Sequence, residues 1–249
     1  MSLHGKSMVV TGAGTGIGRA VARRLLAAGA SVTLVGRRAE ALREAADTEG
    51  GERALVHPAD ISDEQGARSA AEAAVERFGA VDGLVNNAGL ARFAPIEKAD
   101  LSDLEAMLGV NLFGPVHLIR AALPELRARQ GAVVNVSSVG GALAMPNRAL
   151  YGATKAALNS LTRSLARELA PLVRVNAILP GPVDTPMYGD LGLDEGATRD
   201  LVADMVEATP LGRFGTPDDI AGWVCNLLDP EASGWVTGAL VAIDGGRSA

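Results

Sequence analysis

Short apolar runs alternate along this chain with longer stretches whose apolar positions recur every three to four residues. The runs SMVV, SVTLV, RALVHPADI, VDGLVNNAG, GAVVNV, VRVNAIL and GWVTGALVAIDGG read as buried strands. Between them RAVARRLLAAGA, SDEQGARSAAEAAVERF, AALNSLTRSLAREL and TPDDIAGWVCNLLDP carry the helical period. DLSDLEAMLGVNLFGPVHLIRAALPEL reads as one long helical stretch interrupted near Gly109 and Gly114. Strands alternating with helices from end to end predict an α/β fold, one doubly wound parallel sheet of about seven strands with helices on both faces. No linker, low-complexity tract or solenoid repeat breaks the alternation, so residues 1–249 read as one domain.

Two places in this pattern suggest chemistry. The first strand runs into Thr11, Gly12, Ala13, Gly14, Thr15, Gly16, Ile17 and Gly18, and a helix follows at once. Strand, glycine turn and helix form a phosphate-binding arrangement, in which N–H groups at the helix start face an anion and glycine lets it approach. The spacing departs from G-x-G-x-x-G, because Ile17 stands where the third glycine would fall. Plain tight turns use glycine as well. Gly5, Lys6 and Ser7 mimic the end of a P-loop but lack its upstream glycine.

The second place is Ser138 to Lys155. Tyr151 and Lys155 are four apart at the head of a helical run and so share a face. A neighbouring ammonium favours phenolate, so the lysine is expected to bring the tyrosine within reach of general acid–base work near neutral pH. Ser138 follows GAVVNV and sits at a strand's C-terminal end, where open α/β sheets bind ligands.

Composition narrows the partners. Hydrophobic residues make up 48% and charged ones 21%, ordinary for a soluble globular protein. The net charge of −6 argues against nucleic acid or an anionic membrane as the main partner. No apolar run approaches the roughly 20 residues that span a bilayer, and the opening MSLHGKSMVV lacks a signal-peptide layout, so a cytoplasmic location is expected. The single cysteine, Cys225, rules out a disulfide within the chain and reads as a small core residue on a helix. His4, His57 and His117 have no ligand spacing, so no metal site is expected.

TGAGTGIG, NNAG at 86–89, Asn111, Ser138, YGATK and the Pro180–Gly181 pair occur in the order, and at nearly the spacings, of a short-chain dehydrogenase/reductase of the roughly 250-residue type. The chain resembles that family over essentially its whole length, which implies a Rossmann-like domain that exchanges a hydride between a nicotinamide and a ketone or secondary alcohol. The resemblance implies Tyr151 as general acid/base, Ser138 on the carbonyl oxygen and Lys155 on both the phenol and the nicotinamide ribose. Only Ser138, not Ser137, stands thirteen residues before Tyr151 as the family spacing requires. Asn111 would bend its helix and hold a water on the proton path, against a plain solvent-facing or capping amide.

The same resemblance assigns cofactor contacts. Gly12, Gly14, Thr15, Gly16, Ile17 and Gly18 would cradle the pyrophosphate, Asp60 and Ile61 would border the adenine, and Asn87, Ala88 and Gly89 would run along the nucleotide. Pro180, Gly181, Val183 and Thr185 would meet the nicotinamide, the last two holding its carboxamide. Structural alternatives stand beside these: a helix cap for Asp60, a turn for Asn86 and Asn87, and a proline-stiffened loop after the sixth strand.

At the second strand's end Gly36 occupies the place where NAD-preferring relatives carry Asp, and Arg37 and Arg38 follow. An arginine there suits the 2′-phosphate of NADP, so NADP is expected, with NAD as the alternative. Thr15, where many NADP-using relatives have a second base, speaks against it. Arg37 and Arg38 as solvated charges starting a helix is the other reading. A substrate lid is expected over about 187–210 and a homotetramer or dimer through the tail. The runner-up activities are 3-oxoacyl-[acyl-carrier-protein] reductase, with Arg127 and Arg129 as basic residues flanking the cleft, and NAD-dependent sugar or alcohol dehydrogenase. A cofactor-sensing protein without catalysis is the reading from another class.

Overall fold

The computed structural model describes residues 3–47 and 51–249; the first two residues of the MSLHGKSMVV opening lie outside the described residues. Strands β1 (Ser7–Thr11), β2 (Ser31–Gly36), β3 (Ala54–Pro58), β4 (Gly83–Asn86), β5 (Ala132–Val136), β6 (Arg174–Pro180) and β7 (Leu240–Ile243) match the seven apolar runs. The helices are α1 (Gly16–Ala27), α2 (Ala39–Ala46), α3 (Glu64–Phe78), α4 (Leu101–Leu108), α5 (Gly114–Arg129), α6 (Ala149–Glu168), α7 (Glu195–Glu207), α8 (Pro217–Leu228) and the single turn α9 (Pro230–Ser233).

All strands are parallel, in the order β3-β2-β1-β4-β5-β6-β7. Parallel strands are covered on both faces, which is why β1 and β5 are buried at every position. Successive side chains point to opposite faces. Met8 and Val10 therefore pack under α1 and α8 with Leu25, Ile220 and Val224, while Val9 packs on the other face with Ala70, Leu118 and Leu126. Cys225 is buried on α8, as expected of a core residue.

The order reverses between β1 and β4, and the crevice outside the C-terminal ends of those two strands is where ligands bind in such sheets. Side chains lock the two strand ends together there. Thr11 Oγ1 accepts the backbone N–H groups of Asn87 and Ala88, both over 3.0 Å, and Asn87 Nδ2 donates back to the Thr11 carbonyl over 2.9 Å.

The long helical stretch is continuous, not broken. Between α4 and α5, residues 109–113 form a π-helical turn, and Asn111 lies in it. Pro115 has no N–H to give the Asn111 carbonyl, so the regular ladder must open at that point. Gly114 is there because a Cβ would lie 2.4 Å from Ile61 Cδ1. By length and composition alone Leu101–Arg129, 29 residues that include an 18-residue window with a mean hydropathy of 1.4, is long and apolar enough to cross a membrane, contrary to the expectation that no segment is. Its apolarity is that of a core helix: Leu118, Ile119, Ala122 and Leu126 are buried against the sheet.

Candidate active site

A cleft of about 510 Å³ opens at the crevice between β1 and β4. The glycine turn forms one wall. Gly12 has φ +62°, a left-handed conformation that favours glycine, and a Cβ there would lie 2.8 Å from Asn87 Nδ2. At Gly18 a Cβ would lie 2.2 Å from the Gly12 carbonyl oxygen, so only glycine lets α1 start this close beneath the turn. Gly18 is therefore a packing residue: of the expected cofactor contacts it is the one that does not line the cleft. Thr15 occupies the N-cap of α1 without a side-chain bond to the helix, which leaves the first N–H groups of α1 for an anion. Turn and helix start thus fit the phosphates of a dinucleotide.

At the edge of the turn, Arg37 and Arg38 both line the cleft. Arg38 Nη2 donates to Thr15 Oγ1 over 3.4 Å, which brings a guanidinium to the position where the sequence lacks a base. Asp60 is not a helix cap, because α3 is capped by Asp63, whose carboxylate accepts the Gly66 N–H. Instead Asp60 Oδ1 accepts the Ser62 N–H over 3.0 Å and the Ser62 hydroxyl over 2.7 Å. Desolvation pushes its pKa up, but these two bonds and the charge of Arg37 outweigh that and hold it below the ordinary carboxylate value.

The inner end of the cleft holds Ser138, Tyr151 and Lys155 together. Ser138 ends β5's exit, its Oγ accepting the Gly140 N–H over 3.0 Å, and it stands near enough to the Tyr151 hydroxyl to act on its pKa. Ser137 also lines the cleft, and its hydroxyl donates to the Lys155 carbonyl over 3.3 Å. Lys155 Nζ donates to the Val136 carbonyl over 3.1 Å and lies 5.9 Å from the Tyr151 ring centre.

The electrostatics differ from the simple expectation. Burial raises the Tyr151 pKa above its ordinary value, and the opposing influences are the Ser138 hydroxyl and the charge of Arg148, not Lys155. Burial also brings Lys155 down to about 8, so near neutral pH its charge is only partly retained as pH rises. Arg148, one helical turn before the tyrosine, is the cation that acts on the phenol.

Asn111 lies behind the cleft rather than on it, 1% exposed. Its Oδ1 accepts the Leu90 N–H over 2.9 Å, and Nδ2 donates to the Leu90 carbonyl over 2.9 Å and to Thr154 Oγ1 over 3.0 Å. This excludes the solvent-facing or capping amide. Asn111 Oδ1 and Lys155 Nζ approach the same spot, 3.6 and 3.7 Å from where a Gly89 Cβ would stand.

Phe93, Met145, Arg148 and Arg247 line the cleft without having been foreseen, and Tyr188 and Met205 line it from the segment expected as the lid. Burial and the neighbouring Tyr151 push the Tyr188 pKa up to about 12, while the Val183 backbone acts on the hydroxyl in the opposite sense. Arg148 had a readable signal, its place three residues before Tyr151 at the N-cap of α6. The others come from distant segments. Conversely, Arg127 and Arg129 do not flank the cleft. They sit in the last turn of α5, where Arg129 Nε pairs with Asp82 over 3.0 Å just ahead of β4, at the opposite end of the strands.

A family model described as enoyl-(acyl carrier protein) reductase matches residues 12–248. An uncharacterised oxidoreductase of Methylorubrum extorquens is 41% identical over 248 residues, covering 98% of both chains. Among solved structures, a short-chain dehydrogenase/reductase of unknown function from Caenorhabditis elegans with cofactor superposes with a TM-score of 0.92, at 31% identity over 99% of this chain and 96% of that one. The 3-ketoacyl-(acyl-carrier-protein) reductase of Brucella melitensis complexed with NADH superposes with a TM-score of 0.91, at 35% identity over the whole of both chains.

Proposed function

The chain belongs to the short-chain dehydrogenase/reductase family of oxidoreductases, and on that footing we propose that it is an NADP-dependent enzyme interconverting a ketone and a secondary alcohol, with Tyr151 as its general acid/base. The observation that carries this reading is the meeting of Tyr151, Ser138 and Lys155 at the inner end of a cleft whose outer end is the glycine turn. The bound nicotinamide supplies or receives the hydride. In reduction Tyr151 gives its proton to the carbonyl oxygen, while the Ser138 hydroxyl donates a hydrogen bond to the same oxygen. A phenol whose pKa is raised by burial is protonated throughout the neutral range, which suits the reducing direction. Lys155 is placed to hold the nicotinamide ribose, and Asn111 anchors the helix carrying both residues and supports the proton path. Val183 and Thr185 hold the carboxamide, with residues 187–210, which include α7, as the lid.

The preference for NADP is supported by Gly36, which offers no carboxylate to repel a 2′-phosphate, and by the two guanidiniums at the cleft edge. The Brucella relative holds NADH, so NAD is the alternative. A 3-oxoacyl-[acyl-carrier-protein] substrate is the second reading, favoured by that relative's name and full-length match and weakened by the engagement of Arg129 with Asp82. A tetramer or dimer is supported by the fully exposed Trp235 and the half-exposed Trp223 near the tail. A cytoplasmic setting is supported by the lone, buried Cys225. The test is an absorbance assay of NADPH and NADH against a panel of ketones and sugars. Oxidation of NADPH by a ketone supports the reading, and silence with every substrate supports a cofactor-sensing protein.

A further inference from the structure

At the end of the cleft away from the glycine turn, two guanidiniums stand among apolar side chains. Arg148 has its guanidinium carbon 5.0 Å from the Phe93 ring centre, and Phe93 in turn meets the Tyr151 ring edge-on at 5.6 Å. The only described hydrogen bond of its guanidinium is to the Met145 sulfur, over 3.2 Å, a weak acceptor. Arg247 comes from beyond β7 and donates to the Met205 carbonyl over 2.9 Å. Both line the cleft, and both are half-buried. Among the described residues neither makes an ion pair. The exposed Asp204 on α7 is felt by Arg148 only at longer range.

Holding two like charges close together in a partly desolvated site is unfavourable unless an anion joins them. The Arg148 pKa is lowered first by burial and then by the charge of Arg247, which is the sign expected of such a pair without its counterion. A guanidinium presents a planar fork that matches a carboxylate with two parallel bonds. Beside the tyrosine that handles the reacting oxygen, that fork reads a second group on the same small molecule.

We propose that the substrate is an oxo acid, or the corresponding hydroxy acid, whose carboxylate is held by Arg148 and Arg247 while its carbonyl carbon faces Tyr151 and Ser138. This rests on the ketone/alcohol reading above and names the substrate class for it. Charge-assisted bonds to a carboxylate imply roughly 10- to 100-fold preference over a neutral analogue. The apolar lining by Phe93, Met145 and Met205 suits the carbon skeleton between the two ends.

The test compares acetoacetate and levulinate with their methyl esters, titrated calorimetrically into the protein saturated with NADP⁺, a mixture of two oxidised partners that cannot turn over. At least one acid is expected to bind about tenfold or more tightly than its ester. The ratio should fall to near one in Arg148→Met and be partly kept in Arg148→Lys, and it is read on a single preparation, so a partly unfolded variant does not mimic the result. Equal binding of acids and esters, or a preference that survives Arg148→Met, overturns the proposal. Failure of the ketone/alcohol reading looks different: the acid still binds in preference to its ester, but neither NADPH nor NADH is oxidised by any oxo compound.

Discussion

Asn111 Nδ2 donates to the Thr154 hydroxyl over 3.0 Å, and that hydroxyl donates on to the Tyr151 carbonyl over 2.8 Å. A π-turn in one helix is thereby tied to the first turn of the helix that carries Tyr151 and Lys155. Both Nδ2 hydrogens are spent, on Leu90 and Thr154, so Oδ1 alone retains a lone pair for a water on the way to Lys155.

Replacing Asn111 by Leu strands the Leu90 N–H and carbonyl in a buried site. At about 1–3 kcal/mol for each of the two unsatisfied groups, and about 2–4 °C per kcal/mol for a chain of this size, the melting temperature should fall by at least about 4 °C and by up to about 24 °C. Calorimetry of the variant checks this, and an unchanged melting temperature would mean that the three bonds carry no net stability.

Lys155 makes stability depend on pH. Its pKa is about 8 when folded against an ordinary 10.5, so between those values the unfolded chain binds more protons and stability rises with pH. The full cost of burying the charge is present below pH 8 and is relieved as pH rises from there to 10.5. Urea unfolding of the nucleotide-free protein should show this rise, on the order of 2–4 kcal/mol, relative to Lys155→Met, in which that contribution is missing. Parallel pH curves for the two proteins would contradict it.

At the cofactor's adenosine end, Arg37→Ala should raise the Michaelis constant for NADP by roughly 10- to 100-fold, the worth of a charge-assisted bond, and change that for NAD much less. Gly36→Asp should reverse the preference. The nearest atom to a Cβ at Gly36 is Leu42 Cδ2 at 3.5 Å, an ordinary contact, so the carboxylate can be installed without disturbing the strand. Steady-state kinetics with both nucleotides decide, and a preference for NAD in the unmodified protein would remove the argument.

The Tyr188 hydroxyl acts on the backbone N–H of Val183, a donor that the nicotinamide carboxamide is expected to need. Tyr188→Phe frees it. Losing one competing hydrogen bond of about 0.5–1.5 kcal/mol should tighten nucleotide binding roughly 2- to 10-fold, readable by fluorescence titration. Unchanged or weaker binding would show that Tyr188 does not compete for this donor.

The fold was legible because its signals are local. Seven apolar runs separated by helical periods define a parallel sheet, and the glycine turn and YGATK stand where strand and helix meet. The convergence of Gly12, Asn87, Ser138, Tyr151 and Thr185 on one cleft followed from the family resemblance, since nothing in their spacing places them together. What stayed hidden depends on contacts between distant segments. Arg247 arriving from beyond β7 and Phe93 arriving from beyond β4 to line the same cleft as Tyr151 are tertiary facts. The π-turn was visible only as glycines in an otherwise helical pattern, because a widened turn and a broken helix share that signal until Pro115 and the Asn111 bonds are placed.

The central claim is that the Tyr151 hydroxyl moves the proton of the carbonyl/alcohol couple, and Tyr151→Phe isolates it by removing one oxygen from an otherwise retained ring. With a ketone found active against NADPH, the variant should lose on the order of 10²- to 10⁴-fold in kcat/KM, the scale of general acid catalysis, while its nucleotide dissociation constant stays within about threefold. Turnover near that of the unmodified enzyme would contradict the account.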